Sequence, residues 1–443
     1  MTSQDPVIEA FNRAAAKVPA YGQILREAGV SIQSVRSLDD FRRLVPVIDK
    51  QATFGRFPVA ELCVDGQLPP LAGVLTSSGH SGRFAFGLYD LPGAETEADR
   101  LDAALDALFA VRSRRTLLVN CLPMGVKVLT RACTLAETSV RADMVTALVA
   151  QFARHYGQII LVGETAFIKH VLELGEGQGI DWKKPLVQVI VGEEPLAENA
   201  RKYLEGILGI QPGRGETGTI GSSMGVAELG LNLFFEVPTL VALRRALHED
   251  PALRRTVLGP QAAVVPSLFT YDPSRIFVEI GGNGELILST LDLQRPLPLI
   301  RYAPGDVAAV PDAKTIGMVM SQMGLPAGAA GDFPVVLVFG RGQCVQAGAT
   351  PVYPEQVKEG LYLDAALARL TTGNFRLRGG DAAAVLRIQL CPGVSPDRRL
   401  DERFATAMAA YVPANLEVRC EAYPDFGGGM SLDYERKFDY TGP

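Results

Sequence analysis

The sequence predicts an α/β protein: a large N-terminal domain over 1–339, in which β-sheets carry packed helices, and a small α+β domain over 340–443. Three observations predict it. Strand-like runs alternate with helix-like stretches through the middle of the chain, the order that builds a largely parallel sheet. Hydrophobic residues make up 47% and charged residues 21% of the 443, which supports a large core and excludes wholesale disorder. At Phe339-Gly340-Arg341-Gly342 the texture changes, and a β-α-β-like order of roughly 100 residues follows, the size of a small domain.

The elements follow in order. Residues 1–60 read as an amphipathic helical leader, with Val7, Ile8, Phe11, Ala14 and Val18 at helical spacing. Ser37-Leu38-Asp39-Asp40-Phe41 reads as an N-cap with an acidic first turn. A short apolar run, 71–75, meets the small-residue segment Thr76–Gly82. Helix-like stretches at 95–111 and 141–155 then alternate with strands at Thr116–Asn120, Gln158–Val162, Val187–Val191 and Glu285–Ser289. After the apolar run 334–339 come a helix over 354–370, a strand over 384–390, a helix over 401–411 and a strand over 416–422.

Charge and cysteine usage limit the function classes. Lys plus Arg (43) against Asp plus Glu (49) gives a net charge of -6, which argues against nucleic acid or an anionic membrane as the main partner. No apolar run approaches the ~18 residues of a spanning helix. The first residues lack the basic start and apolar core of a signal peptide, so a cytoplasmic protein is expected. Six cysteines with no C-x-x-C pair, and four histidines, argue against a structural zinc and suit a reducing compartment.

Five segments could carry chemistry. Thr76-Ser77-Ser78-Gly79-His80-Ser81-Gly82 offers backbone N–H groups and hydroxyls to an anion, or is a plain Gly/Ser surface loop. It lacks the spacing of the nucleotide P-loop. Val191-Gly192-Glu193-Glu194-Pro195 follows a strand and leads into a helix over 197–208, where α/β sheets place ligands and where acidic first turns are also ordinary. Met224-Gly225-Val226-Ala227-Glu228 sets one carboxylate in an apolar, glycine-rich stretch, so it must reach the surface or a cation. In Leu297–Asp306, Arg301 and Asp306 flank a Pro-Gly turn, and Asp306 suits either a ribose diol or an Asx turn. Finally, Leu432–Asp439 holds Lys437 near the chain end, a place where lysine is normally a solvated charge. Singly, none of the five decides a function.

Taken in order, the five segments resemble the motif series of the adenylate-forming superfamily of acyl-CoA synthetases, closest to its phenylacetate–CoA ligase and coenzyme F390 synthetase branch. The stretches 18–21, 27–30 and 37–46 look like that branch's helical leader, and 177–181 with 189–195 its adenine-side segment. The resemblance implies a mobile C-terminal domain and two half-reactions, formation of an acyl-adenylate from ATP and a carboxylic acid and then transfer of the acyl group to a thiol. It places Thr76, Ser77, Ser78, Gly79, Ser81, Gly82 and Arg83 on the phosphates, and Gly192, Glu193, Glu194, Pro195, Met224 and Gly225 around the adenine. It also implies Glu228 as the magnesium carboxylate, Asp306 and Arg341 at the ribose, and Lys437 as the lysine that swings onto the acyl-adenylate oxygens. Met124, Gly125 and Lys127 fall on the loop that lines the acid pocket, where ordinary packing and solvent contact are equally open readings.

Several positions depart from the superfamily pattern. His80 replaces a threonine and is expected to donate toward a phosphate; Arg83 stands where lysine is common. Met224 replaces a tyrosine, Ala227 a hydroxyl residue, Ala303-Pro304 an Arg-Thr pair, and Gln343 the hinge acid. The resemblance thus implies an ATP- and magnesium-dependent ligase for an aromatic or apolar carboxylic acid. The acceptor is coenzyme A or, in a specialised antibiotic-type pathway, the phosphopantetheine of an acyl-carrier protein or an amine. A homodimer is implied as well. A non-catalytic nucleotide-binding descendant stays open, although it would have no use for Glu228, Asp306, Arg341 and Lys437 together.

Overall fold

The computed structural model, which describes residues 5–77, 83–123, 126–259, 264–325, 334–427 and 438–441, is organised around a nine-stranded mixed sheet. In spatial order its strands are Ala308–Ala309, Val335–Val338, Ser267–Thr270, Gly230–Phe235, Thr219–Val226, Val187–Val191, Gln158–Gly163, Thr116–Asn120 and Thr134–Glu137. The last five run parallel. Their sequences are nearly unbroken apolar runs because both faces are covered. Leu117, Val119, Ile159 and Leu161 face the helices Ala142–Phe152, Thr165–Gly177 and Glu198–Leu208. Leu118, Ile160 and Val162 face the helix Leu91–Phe109 on the other side.

Parallel pairing holds only in that half of the sheet. Thr219–Val226 turns tightly at 227–229 into Gly230–Phe235, and every strand beyond it is antiparallel. The expected strand at 285–289 is present as Leu286–Thr290 but lies outside the nine. It pairs with Ile276–Ile280, because the five-residue connection between them can close a hairpin and is far too short for a crossover.

The leader folds as the spacing predicts. Asp5 caps the helix Pro6–Lys17 by accepting from the Val7 N–H at 2.9 Å, and Ser37 caps Leu38–Leu44 through the Asp40 N–H at 3.1 Å. Phe11 and Phe41 meet edge-on at 5.9 Å and share a core with Leu288 and Tyr302 from the hairpin region. The leader is thus built into the body of the protein.

Beyond residue 345 a separate three-stranded sheet forms. Ala384–Leu390 runs parallel to Leu416–Glu421 across the helix Arg398–Met408, the expected β-α-β, and Thr371–Arg378 adds an antiparallel edge that the sequence reading did not contain. A register shift between Thr371 and Phe375 carries Gly373-Asn374 through the strand. The expected helix 354–370 is two pieces, Pro354–Leu361 and Ala365–Ala368. Asp364 restarts it by accepting from the Ala366 and Leu367 N–H groups at 2.7 and 3.1 Å.

This sheet packs firmly on the larger one. Leu361, Tyr362 and Phe375 belong to the same buried cluster as Phe167, Leu172 and Tyr203. Glu359 supplies what the helix Glu198–Leu208 lacks at its start, its two carboxylate oxygens accepting from the Glu198 and Asn199 N–H groups at 2.8 and 2.9 Å. Its backbone carbonyl accepts from the Asn199 amide at 2.9 Å. Replacing Glu359 by alanine would leave two buried N–H donors unpaired. We expect Glu359→Ala to lower unfolding stability by about 1–3 kcal/mol in urea melts, with Glu359→Gln losing less; an unchanged midpoint for the alanine variant would rule the cap out.

Candidate active site

The segment expected to meet phosphates begins on a hairpin. Gly73–Thr76 pairs with Phe86–Tyr89, and Thr76 opposes Phe86. Ser77 closes the base of the turn, its N–H donating to the Ala85 carbonyl and its Oγ accepting from the Ala85 N–H, both at 2.9 Å. The Ser77 Oγ also accepts from the Lys50 ammonium at 3.1 Å. Arg83 directs its guanidinium to the Gly55 carbonyl at 2.8 Å. Ser78, Gly79, His80, Ser81 and Gly82 lie outside the described residues. Gly87 docks the hairpin on its neighbour: any Cβ there would overlap the carbonyl oxygen of Ala227, the residue before Glu228.

Glu228 is buried, and an unpaired carboxylate at that depth is costly. It accepts a hydrogen bond from the Tyr302 hydroxyl, while its backbone carbonyl accepts from Arg295 at 3.1 Å. Burial, and then the Glu228 charge, push the Tyr302 phenol well above its usual value, so it remains a donor. Tyr302 is fixed by backbone on both sides. Its N–H donates to the Leu288 carbonyl at 2.8 Å. On the leader side, the Ile48 N–H donates to the Arg301 carbonyl at 2.9 Å and the Ala303 N–H to the Ile48 carbonyl at 2.8 Å. Arg301 adopts a φ of 52° and donates to the Arg42 carbonyl at 2.7 Å, a strained residue held by the leader. Met224 opposes Phe234 and packs toward the leader core; Gly225 abuts Leu231, whose Cα would stand 2.8 Å from an added Cβ.

Asp306 and Arg341 come together through a ladder. The Val307 N–H donates to the Gly340 carbonyl at 2.7 Å and the Phe339 N–H to the Val307 carbonyl at 2.8 Å, so the two side chains stand at neighbouring ends of paired strands. Asp306 is half-buried and Arg341 exposed. Gly340, at a φ of 73°, also touches the adenine-side segment: an added Cβ would lie 3.3 Å from Pro195.

Gly192–Pro195 leaves the end of the strand Val187–Val191, with Glu193 at a φ of 72°. Glu194 points beneath the C-terminal sheet, where it pairs with Lys358 and accepts from the Tyr440 hydroxyl at 3.1 Å. Lys358 lies over the Tyr440 ring at 4.4 Å, and that ring stacks on Phe375 at 4.4 Å. Glu164, at the end of the adjacent strand, completes the cluster. Burial, reinforced by Glu194, raises its carboxyl well above the usual range; burial would do the same to Glu194, but Lys358 outweighs it and holds that carboxyl low. Glu164 therefore gives up its proton less readily than Glu194.

The pocket loop lies alongside. Asn120 accepts from the Leu122 N–H at 3.1 Å and donates to the Val126 carbonyl at 2.9 Å, bridging the loop, and Leu122 faces Gly192. Lys127 is exposed; Met124 and Gly125, like Lys437, lie outside the described residues. Tyr440, three residues past Lys437, is pinned by its carbonyl to the Leu377 N–H at 2.8 Å. The sequence reading missed Lys50, Glu164, Tyr302, Lys358 and Tyr440. Only Glu164 carried a usable signal, a carboxylate directly after a strongly apolar strand.

No protein-family model and no curated protein matches the sequence. Solved structures do. The chain is similar to 2-hydroxyisobutyryl-CoA ligase in its postadenylation state with R3-HIB-AMP, with a TM-score of 0.69 at 12% identity over 98% of this chain and 87% of that one. The chain carries the adenylate-forming ligase fold. The same ligase in its thioesterification state, with 2-HIB-AMP and CoA, superposes less well, at a TM-score of 0.54 and 13% identity over 95% and 85% of the two chains. Anthranilate CoA ligase AuaEII with anthranoyl-AMP reaches 0.50 at 13% identity over 83% of this chain and 65% of that one.

Behind the adenine-side segment the fold buries a charge network. Arg201 donates to both Glu236 oxygens, at 3.0 and 2.9 Å, and to Glu198 at 3.2 Å; Arg244 also pairs with Glu198. Burial alone would raise the Glu198 carboxyl, but Arg201 and Arg244 overcome it and hold it at about 2, below its ordinary 4.5. Since the folded value is the lower one, this stabilisation is complete above pH 4.5 and is lost as pH falls toward 2. Denaturation midpoints should fall through that window, and Glu198→Gln should flatten the fall. At the other end of the site, we expect Gly87→Ala to cost more than about 1 kcal/mol in urea melts, the range of overpacking changes; a neutral result would mean that the hairpin does not dock on Ala227.

Proposed function

We propose that the protein activates a small carboxylic acid, aromatic or otherwise apolar, as its acyl-adenylate and passes the acyl group to a thiol, with coenzyme A as acceptor. The observation that carries this reading is contiguity. The Ser77 hairpin meets the Glu228 turn at Gly87, Glu228 is tied by Tyr302 to the segment ending at Asp306, and Gly340 beside Arg341 touches Pro195. Five segments distant in sequence thus border one region at the ends of the parallel strands, the side on which such sheets bind ligands.

The residues suit phosphoryl chemistry, which needs orientation and charge neutralisation more than covalent help. In the first step a carboxylate oxygen of the acid bonds to the α-phosphorus of ATP, the bond from that phosphorus to the bridging oxygen breaks, and pyrophosphate leaves. In the second the thiolate sulfur bonds to the acyl carbon and AMP leaves. Ser77 and the rest of the 76–82 segment, His80 included, are assigned to the phosphates. Gly192–Pro195 borders the adenine, Asp306 accepts from the ribose hydroxyls with Arg341 beside it, and Lys437 offsets negative charge on the acyl-adenylate oxygens. Among the described residues no group of three metal-ligating side chains occurs, so Glu228 would be a lone protein carboxylate for magnesium. That fits an ion that keeps waters and phosphate oxygens as its other ligands. Magnesium would supply neutralisation of phosphate charge. The domain division near 339/340 gives the C-terminal sheet a place to pivot, carrying Lys437 away before the thiol arrives.

The purified protein with ATP, magnesium and a panel of aryl and alkyl acids should exchange labelled pyrophosphate into ATP for at least one acid. No exchange with any acid would sink the reading. Lys437→Ala should lower exchange at least about 100-fold, as loss of a transition-state contact does, while leaving thioester formation from preformed acyl-adenylate nearly unchanged. Thioester that appears only after a carrier protein is added would replace coenzyme A as the acceptor.

A further inference from the structure

The phosphate segment of this chain ends in Arg83, the one cation within it, yet that guanidinium is committed elsewhere. It donates to the Gly55 carbonyl at 2.8 Å, and its Cδ stands 3.1 Å from where a Gly55 Cβ would be, so the side chain lies along the leader. A different cation reaches the base of the loop. The Lys50 ammonium donates to the Ser77 Oγ at 3.1 Å, and Ser77 is the residue whose two hydrogen bonds to Ala85 close the turn. Lys50 is aimed by backbone. Ile48 bridges to Tyr302 through its hydrogen bonds to Arg301 and Ala303. Just after it, Asp49 starts a turn by accepting from the Ala52 N–H at 2.7 Å and the Thr53 N–H at 3.1 Å. The same three-residue bridge therefore holds Tyr302, the partner of Glu228, and delivers an ammonium to the phosphate hairpin.

We propose that Lys50, supplied by the leader, is the cation that binds the β- and γ-phosphates of the nucleotide, and that Arg83 instead anchors the loop to the leader. The inference rests on the adenylating reading of the site. A compact ammonium on a flexible stem follows a triphosphate from binding to pyrophosphate release without the fixed fork geometry that arginine imposes. Its charge-assisted hydrogen bond is the stronger kind.

Calorimetric titration of ATP and of AMP into the full chain in magnesium buffer tests this. AMP lacks the β- and γ-phosphates and reports whether the rest of the nucleotide site is intact. Lys50→Met should weaken ATP about 10- to 100-fold, the loss typical of a hydrogen bond to a charged group, with AMP affinity nearly unchanged. Lys50→Arg, which keeps the charge, should recover most of the ATP affinity. Arg83→Met should leave the ATP-to-AMP affinity ratio within about threefold of the wild type, since its bond is to the leader. An unchanged ATP affinity in Lys50→Met, a parallel loss of ATP and AMP, or a collapse of the ratio in Arg83→Met would each overturn the assignment. If the wild-type chain binds neither nucleotide, the adenylating reading itself fails; if it binds ATP and Lys50→Met does so equally, only this inference does.

Discussion

The structure turns on a short backbone bridge between the leader and the body, where Ile48 exchanges hydrogen bonds with Arg301 and Ala303. A carboxylate as deeply buried as Glu228 needs a donor, and its donor is Tyr302, the residue between those two. Without the bridge, the Tyr302 backbone would keep only its hydrogen bonds to Leu288 among the described residues, and Arg301 would lose the leader carbonyls that support its left-handed backbone. The leader is therefore more than a cover. Phe11 and Phe41 bury it against Leu288 and Tyr302, and the apolar area they remove from water keeps the bridge closed.

The other half of the site is governed by the way the C-terminal sheet seals the strand ends. Glu164 and Glu194 sit where an α/β sheet binds ligands, and two adjacent buried carboxyls cannot both ionise cheaply. Burial raises the Glu164 carboxyl while Lys358 holds Glu194 low, which resolves the conflict, and Tyr440 meets Glu194 with its hydroxyl and Lys358 with its ring. This arrangement makes the C-terminal sheet's position depend on a handful of polar contacts, together with the Glu359 cap, over an apolar interface that is part of a continuous core. A sheet held this way has a defined resting orientation.

Much of this was legible in the sequence, and the rest was hidden for identifiable reasons. Apolar runs at Thr116–Asn120 and Val187–Val191 announce buried parallel strands, and Ser37 announces a helix start, because these signals are local. The place of Leu286–Thr290 was not legible, since strand propensity does not say which strand will be the partner. The edge strand Thr371–Arg378 hid behind Gly373-Asn374, where turn chemistry and a sheet irregularity look alike. At the site, the five motif segments could be named, but the contacts joining them could not. Lys358 and Glu194 are 164 residues apart and Tyr302 and Glu228 are 74 apart, so no periodicity relates them.

The motif departures become coherent against this geometry. Met224 sits in a strand opposite Phe234 and turns toward the leader core, where a flexible apolar side chain fills space that a tyrosine hydroxyl would have to be satisfied in. Ala227 contributes its backbone carbonyl to the surface on which Gly87 rests, a contact whose tightness depends on the absence of a side chain at Gly87 and is indifferent to a hydroxyl at 227. Ala303 is buried and uses its N–H on Ile48, so its role is in the bridge, and a long cation at that position would have to leave the core in which Ala303 now lies. Of these three, Ala303 lies in the Ile48 bridge, Ala227 at the Gly87 contact and Met224 against the leader core. Packing between leader, hairpin and sheet thus positions the hydrogen-bonding groups Lys50, on Ser77, and Tyr302, on Glu228.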